Sequence, residues 1–170
     1  MKMAGILAVI LFLFPLLNPS TLAEDVLLQI EIQPALNYGS DHSTLDLIFP
    51  DFTNGAVTNA ISVNYSLMAN DVGRTQGVIS GHLEQLIPGI DFQANVGSYS
   101  KQSGNASLVP ASAGFVVVTT DETGLADKVV DEGDGKLVDG TLTITYRAVI
   151  TGDQPAGQQT GMYTVSFVDN

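Results

Sequence analysis

Thr141-Leu142-Thr143-Ile144-Thr145-Tyr146-Arg147-Ala148-Val149-Ile150, with Met162-Tyr163-Thr164-Val165-Ser166-Phe167-Val168 downstream, decides the fold class of this chain. Leu142, Ile144, Tyr146, Ala148 and Ile150 fall on one face of the first stretch, and Tyr163, Val165 and Phe167 on one face of the second. Successive side chains leave a strand on opposite sides, so apolar residues at every second position mark a half-buried strand. Gln154-Pro155-Ala156-Gly157 separates the two stretches. Its Pro and Gly stand where a type I turn prefers them. The chain stops shortly after Val168. The last strand is therefore expected to keep its outer edge uncovered, and such an edge invites another chain to pair with it.

Working upstream, Val26, Leu28, Ile30 and Ile32 line one face of a strand that Pro34 ends. Leu36–Ser40 reads as a turn-like segment, and Leu45–Phe49 as a strand closed by Pro50. Ala60–Met68 is the clearest strand of the first half, with Ile61, Val63, Tyr65 and Leu67 inward. Gly77–Leu86 is a weaker strand, with Ile79 and Leu83 inward, and Pro88-Gly89 centres a type II turn. Ile90–Val96 alternates again, whereas polar Gly97–Ser107 reads as a long loop. Gly114–Thr120 is a β-branched run expected to be covered on both faces. Leu125–Val130 reads as a short strand or one helical turn, and Asp131–Gly135 as a loop. No segment sustains helical periodicity. About seven to eight strands at short turn spacing predict an all-β sandwich or barrel. Its core should include Ile30, Ile32, Leu47, Val63, Tyr65, Leu67, Phe92, Val117, Ile144, Tyr146, Val165 and Phe167.

The start of the chain points to export. Lys2 precedes an apolar run from Ile6 to Leu17, and Thr21-Leu22-Ala23 supplies small residues before acidic Glu24-Asp25. This is the layout of a secretory signal peptide over residues 1–23, cleaved after Ala23. The apolar run is shorter than the about 20 residues that span a bilayer, so no membrane span is expected after cleavage. With no cysteine, lipid attachment is excluded. Residues 24–170 form one expected domain, placed in the periplasm, at the cell surface or outside the cell.

Eighteen acidic residues against six basic ones give a formal charge of −12, and loss of Lys2 makes it more negative. That balance argues against nucleic acid and anionic membrane surfaces, which both require cationic contacts. Only 14% of residues are charged, too few to cover solvated helices, which agrees with an all-β chain. The absence of cysteine removes thiolate metal sites and cysteine nucleophiles.

The remaining motifs give no chemistry. Asp131-Glu132-Gly133-Asp134-Gly135 suggests a calcium loop, but an EF-type loop needs a bidentate Glu at its twelfth position, and counted from Asp131 that residue is Leu142. A looser calcium site within 121–135 stays open. His42 and His82 have carboxylates nearby in sequence (Asp41, Asp46, Glu84) but no ligand-pair spacing. No Gly-x-Ser-x-Gly elbow and no phosphate-binding loop is present. Of the sequons at Asn64 and Asn105, only the second lies in an expected loop. No catalytic residue, cofactor or metal ligand is expected, and the chain does not read as an enzyme.

Leu36-Asn37-Tyr38-Gly39 resembles the L-x-F-G that follows the first strand of secreted bacterial pilin-like domains. Gly140-Thr141-Leu142-Thr143-Ile144, Gln154-Pro155-Ala156-Gly157 and Gly161-Met162-Tyr163-Thr164-Val165-Ser166-Phe167 are similar to their C-terminal motifs. The related groups are the spore coat protein U-like subunits of archaic chaperone–usher pili and a secreted family of the DUF4402 type. The match covers mainly residues 26–40 and 140–170. Spore coat U-like subunits usually carry a disulfide, which this chain cannot form. The resemblance implies an antiparallel immunoglobulin-like β-sandwich that joins other copies of itself into a surface fibre, with a periplasmic chaperone and usher as partners. Val26, Leu28, Ile30, Ile32, Tyr163, Val165 and Phe167 are the strand-pairing candidates. The alternative expectation is a self-complete binding module for carbohydrate or protein, using Gly97–Ser107 and Asp121–Gly135 as its loops.

Overall fold

Strand alternation is most complete at Val138–Ile150, where buried and half-buried residues alternate without a break over 13 positions. In the computed structural model, which describes residues 36–153 and 158–168, this strand is the centre of one of two antiparallel sheets. In chain order the strands are β1 (Leu36–Ser40), β2 (Ile61–Ala69), β3 (Ile79–Leu83), β4 (Ile90–Gly104), β5 (Ala106–Pro110), β6 (Val116–Val117), β7 (Thr123–Val130), β8 (Val138–Ile150) and β9 (Tyr163–Phe167). The described residues contain no helix.

The five-stranded sheet runs β1-β2-β8-β4-β6, and the four-stranded sheet β5-β7-β3-β9. Ile144 sits opposite Val63 of β2 and Val96 of β4, so three apolar side chains meet in one cross-strand row. The inner faces of both sheets close on one core containing Val63, Tyr65, Leu67, Phe92, Ala94, Leu142, Ile144 and Tyr146 from one sheet and Ile79, Leu83, Leu108, Leu125 and Ala126 from the other. The all-β reading therefore holds, as two packed sheets.

β4 and β5 are nearly one run of chain. Two irregularities in the β4–β8 register, at Val96/Tyr99 and Lys101/Ser103, bend β4. Gly104, at φ +96°, then turns the chain into the second sheet. Asn105 secures this corner: its side-chain oxygen accepts from Leu137 N at 2.8 Å and its amide donates to Asp134 at 2.8 Å.

Several segments differ from the sequence reading. Leu36–Ser40 is a strand paired with β2, not a turn. Leu45–Phe49 is irregular, although Leu45 and Leu47 still pack on the core. Gly97–Ser107 is mostly strand, and the Gly114–Thr120 run yields only the two-residue β6. Val117 faces outward at 42% exposure while Val118 is buried, which reverses the expected core residue. The strands number nine among the described residues, above the expected seven to eight. Val165 and Phe167 are partly buried against the core, as is Leu47, and apart from Val117 the other expected core residues of the described chain are buried. Ile30, Ile32 and the Gln154–Gly157 turn lie outside the described residues.

Candidate functional site

β9 is the edge of the four-stranded sheet among the described residues, paired with β3 alone. The phase of its ladder follows from the bonds that flank it. Val168 N donates to the Val78 carbonyl and Glu84 N to the Met162 carbonyl. In an antiparallel pair, bonded positions recur every second residue. Thr164 and Ser166 therefore bond to His82 and Ser80 across the ladder, in the register seen. Tyr163, Val165 and Phe167 turn their N–H and C=O groups away from β3, toward an edge that no described strand pairs.

The same three residues send their side chains to the core, and all three stay only half-buried. Their inner neighbours cover one flank and nothing among the described residues covers the other. Tyr163 reaches furthest. Its ring meets Phe92 edge-on at 4.9 Å and Tyr146 at 5.2 Å between centroids. It lies directly over Gly81, where any β-carbon would strike the ring, so the glycine makes room for it.

Tyr163 belongs to a set of buried phenols. The Tyr65 and Tyr146 hydroxyls are hydrogen-bonded at 2.7 Å, and Tyr38 stacks on Tyr65 at 5.8 Å. The Tyr38 and Tyr163 hydroxyls are buried without a hydrogen-bond partner. Burial first, then the neighbouring Tyr65 and Tyr163 phenols, raises the Tyr38 pKa. Burial likewise raises Tyr146 and Tyr163 well above the ordinary phenol range. Tyr38 stands on β1, an edge of one sheet among the described residues, and Tyr163 on β9, an edge of the other. Both edges thus set half-buried apolar or phenolic side chains against the core.

The structure gathers Tyr163, Val165 and Phe167 as expected from their alternation. It adds Tyr38 and Leu45 to the core margin, beside the expected Leu47. Sequence reasoning placed Tyr38 in a turn, and its Leu-x-Tyr-x pattern is too short to signal a strand. Val26, Leu28, Ile30 and Ile32 lie outside the described residues.

Other candidate groups are occupied with structural work. Asp131 accepts from Lys101 at 2.7 Å and from Ser107 at 2.6 Å. Asp134 holds Asn105. These bonds lower both carboxyl pKa values and tie the carboxylates to the corner. The Asn105 amide, engaged at both ends, is a corner brace rather than a free glycosylation acceptor. Asp41 pairs with His42 at 2.7 Å and accepts from Asn64 N and Nδ2 at 2.9 Å. The His42 bond, followed by the Asn64 backbone bond, lowers its carboxyl pKa to about 2. His82, on β3, has its Nδ1 3.1 Å from Glu122, the residue before β7. Among the described residues no group of three or more His, Cys, Asp or Glu is placed to hold a metal ion, and no helix is long and apolar enough to cross a membrane.

In comparisons with known proteins, no family model, curated protein or solved structure matches this chain.

Proposed function

We propose that this protein is a secreted structural subunit of a bacterial surface fibre or coat, an immunoglobulin-like sandwich that joins its neighbours by β-strand pairing. One observation carries the reading: β9 presents a row of outward N–H and C=O groups at Tyr163, Val165 and Phe167 above a half-covered core margin. A strand added there satisfies the backbone groups through main-chain bonds and covers the margin with alternate side chains.

The segment that suits this edge is Val26–Ile32 of another copy. Its apolar residues recur at the same two-residue interval as the row they would cover. The signal-peptide layout places the segment near the new N-terminus after cleavage, where it is available to a neighbour. Until pairing, an open edge of this kind needs protection, which is the work of a periplasmic chaperone.

The test is the oligomeric state of the mature protein by light scattering, before and after prolonged incubation. We expect heat-resistant multimers from the natural sequence. The double variant Leu28→Asp, Ile30→Asp places charges on the face that would be buried, and should be exported but remain monomeric. The double variant Thr164→Lys, Ser166→Lys puts cations along β9 without touching the core, and should block assembly in the same way. A natural protein that stays a cooperatively unfolding monomer, or a double Asp variant that still polymerises, overturns the proposal.

A further inference from the structure

The outer face of the five-stranded sheet carries many short polar side chains and includes a recess. Cross-strand register places Asn37, Met68, Asp139 and Ser103 in one row across β1, β2, β8 and β4. The adjacent row is Gly39, Ser66, Thr141 and Ser100. Side chains in the first row stand up. In the second row the floor drops at Gly39, where a β-carbon would meet nothing within 4 Å. The step between the rows is an open trough of about 330 Å³, lined by Asn37, Gly39, Ser66, Met68, Gln102 and Asp139 among others.

We infer that this trough binds a neutral saccharide. Its size is at the small end for a small-molecule site and accommodates about one or two sugar rings. Its chemistry is that of polyol recognition. Asn37 and Gln102 each bring an amide that both donates and accepts, and Ser66 brings a hydroxyl that does the same. Asp139 contributes a carboxylate whose Oδ2 accepts from Ser103 Oγ, which fixes its orientation. A carboxylate paired with amides matches adjacent sugar hydroxyls, which donate to one and exchange bonds with the other. Met68, 47% exposed, supplies a polarisable apolar wall for the C–H face of a ring.

Charge selects within the class. Asp139 lies in the trough, no basic residue lines it, and the chain carries a formal charge of −12. An acidic sugar meets repulsion from both sources, and a neutral one does not. The trough belongs to the sheet that does not contain β9, so it stays open whether or not a strand is added at that edge. The inference is therefore independent of the proposed assembly.

The test is an NMR titration of the mature protein with glucose, galactose, mannose, N-acetylglucosamine and their disaccharides, beside glucuronic acid as the acidic arm. We expect saturable shifts for at least one neutral sugar, centred on Asn37, Gly39, Ser66, Met68, Gln102 and Asp139, and none for the acid. Gly39→Ile fills the floor at a position with free space and should weaken binding by about tenfold or more while leaving the fold intact. Gln102→Ala, at an exposed strand position, should weaken it about five- to tenfold by deleting one polar contact. Absence of shifts with every neutral sugar, shifts elsewhere on the surface, equal binding of the acid, or full binding by Gly39→Ile overturns the inference.

Discussion

Phenols carry the chemistry of this core at the level of single residues. Tyrosine combines a large apolar ring with a hydroxyl that is costly to bury and costlier still to ionise there. All five tyrosines have raised pKa values, with burial the leading cause in each, and Tyr99 is pushed up to about 12. The direction of the linkage follows. The ordinary phenol value is 10.0, so above that pH the unfolded chain loses protons that the folded chain retains. Stability from these groups is complete below about pH 10 and is lost as pH rises toward the folded values. Phenolate absorbance should therefore stay low through the ordinary tyrosine range and then rise together with loss of β-sheet circular dichroism. A smooth titration of most tyrosines near pH 10 with the sheet signal unchanged would contradict this packing.

Among the elements, the β4–β5 corner depends most on one backbone position. Gly104 has a φ of +96°, and a β-carbon there would collide with the Leu137 backbone carbonyl. Gly104→Ala should cost about 2 kcal/mol or more, from overpacking and a conformation that L-residues avoid. Gly39→Ala, in open space with an ordinary φ, should stay within about 0.5 kcal/mol of the natural protein. Urea midpoints of the two variants check the contrast. The corner also explains what sequence reading missed. Gly97–Ser107 looks like a loop because its residues face solvent and two register shifts break the period of two. Leu45–Phe49 has strand alternation, yet Asn59 takes the Ile48 amide at 2.7 Å and the segment joins no ladder. The Val116–Val118 run has no alternation, so sequence alone gives no sign of which valine faces out. β2, β8 and β9 were legible because their alternation is long or rich in aromatic residues. The trough was not, because cross-strand register creates it and no sequence window contains it.

Across the whole molecule, acidity opposes self-association while an open sheet edge favours it. Copies with a formal charge of −12 repel one another over a Debye length of about 10 Å at 0.1 M salt. If strand pairing builds the fibre, its rate should increase with ionic strength between low and physiological salt, because screening removes the repulsion while the backbone bonds are little affected. Light scattering of the growing multimer at several salt concentrations measures this, and a rate that falls with salt would point to attraction between opposite charges instead.

The continuity of β4 and β5 has a mechanical meaning. One stretch of backbone, bent at Gly104, belongs to both sheets. Tension that draws the two layers apart is borne at this corner by covalent bonds as well as by side-chain packing. The weaker links are at the margins, where two residues of β6 hold to β4, five of β1 to β2 and five of β9 to β3. Under load the sandwich should yield first by peeling these outer strands, while the corner keeps the two layers tethered.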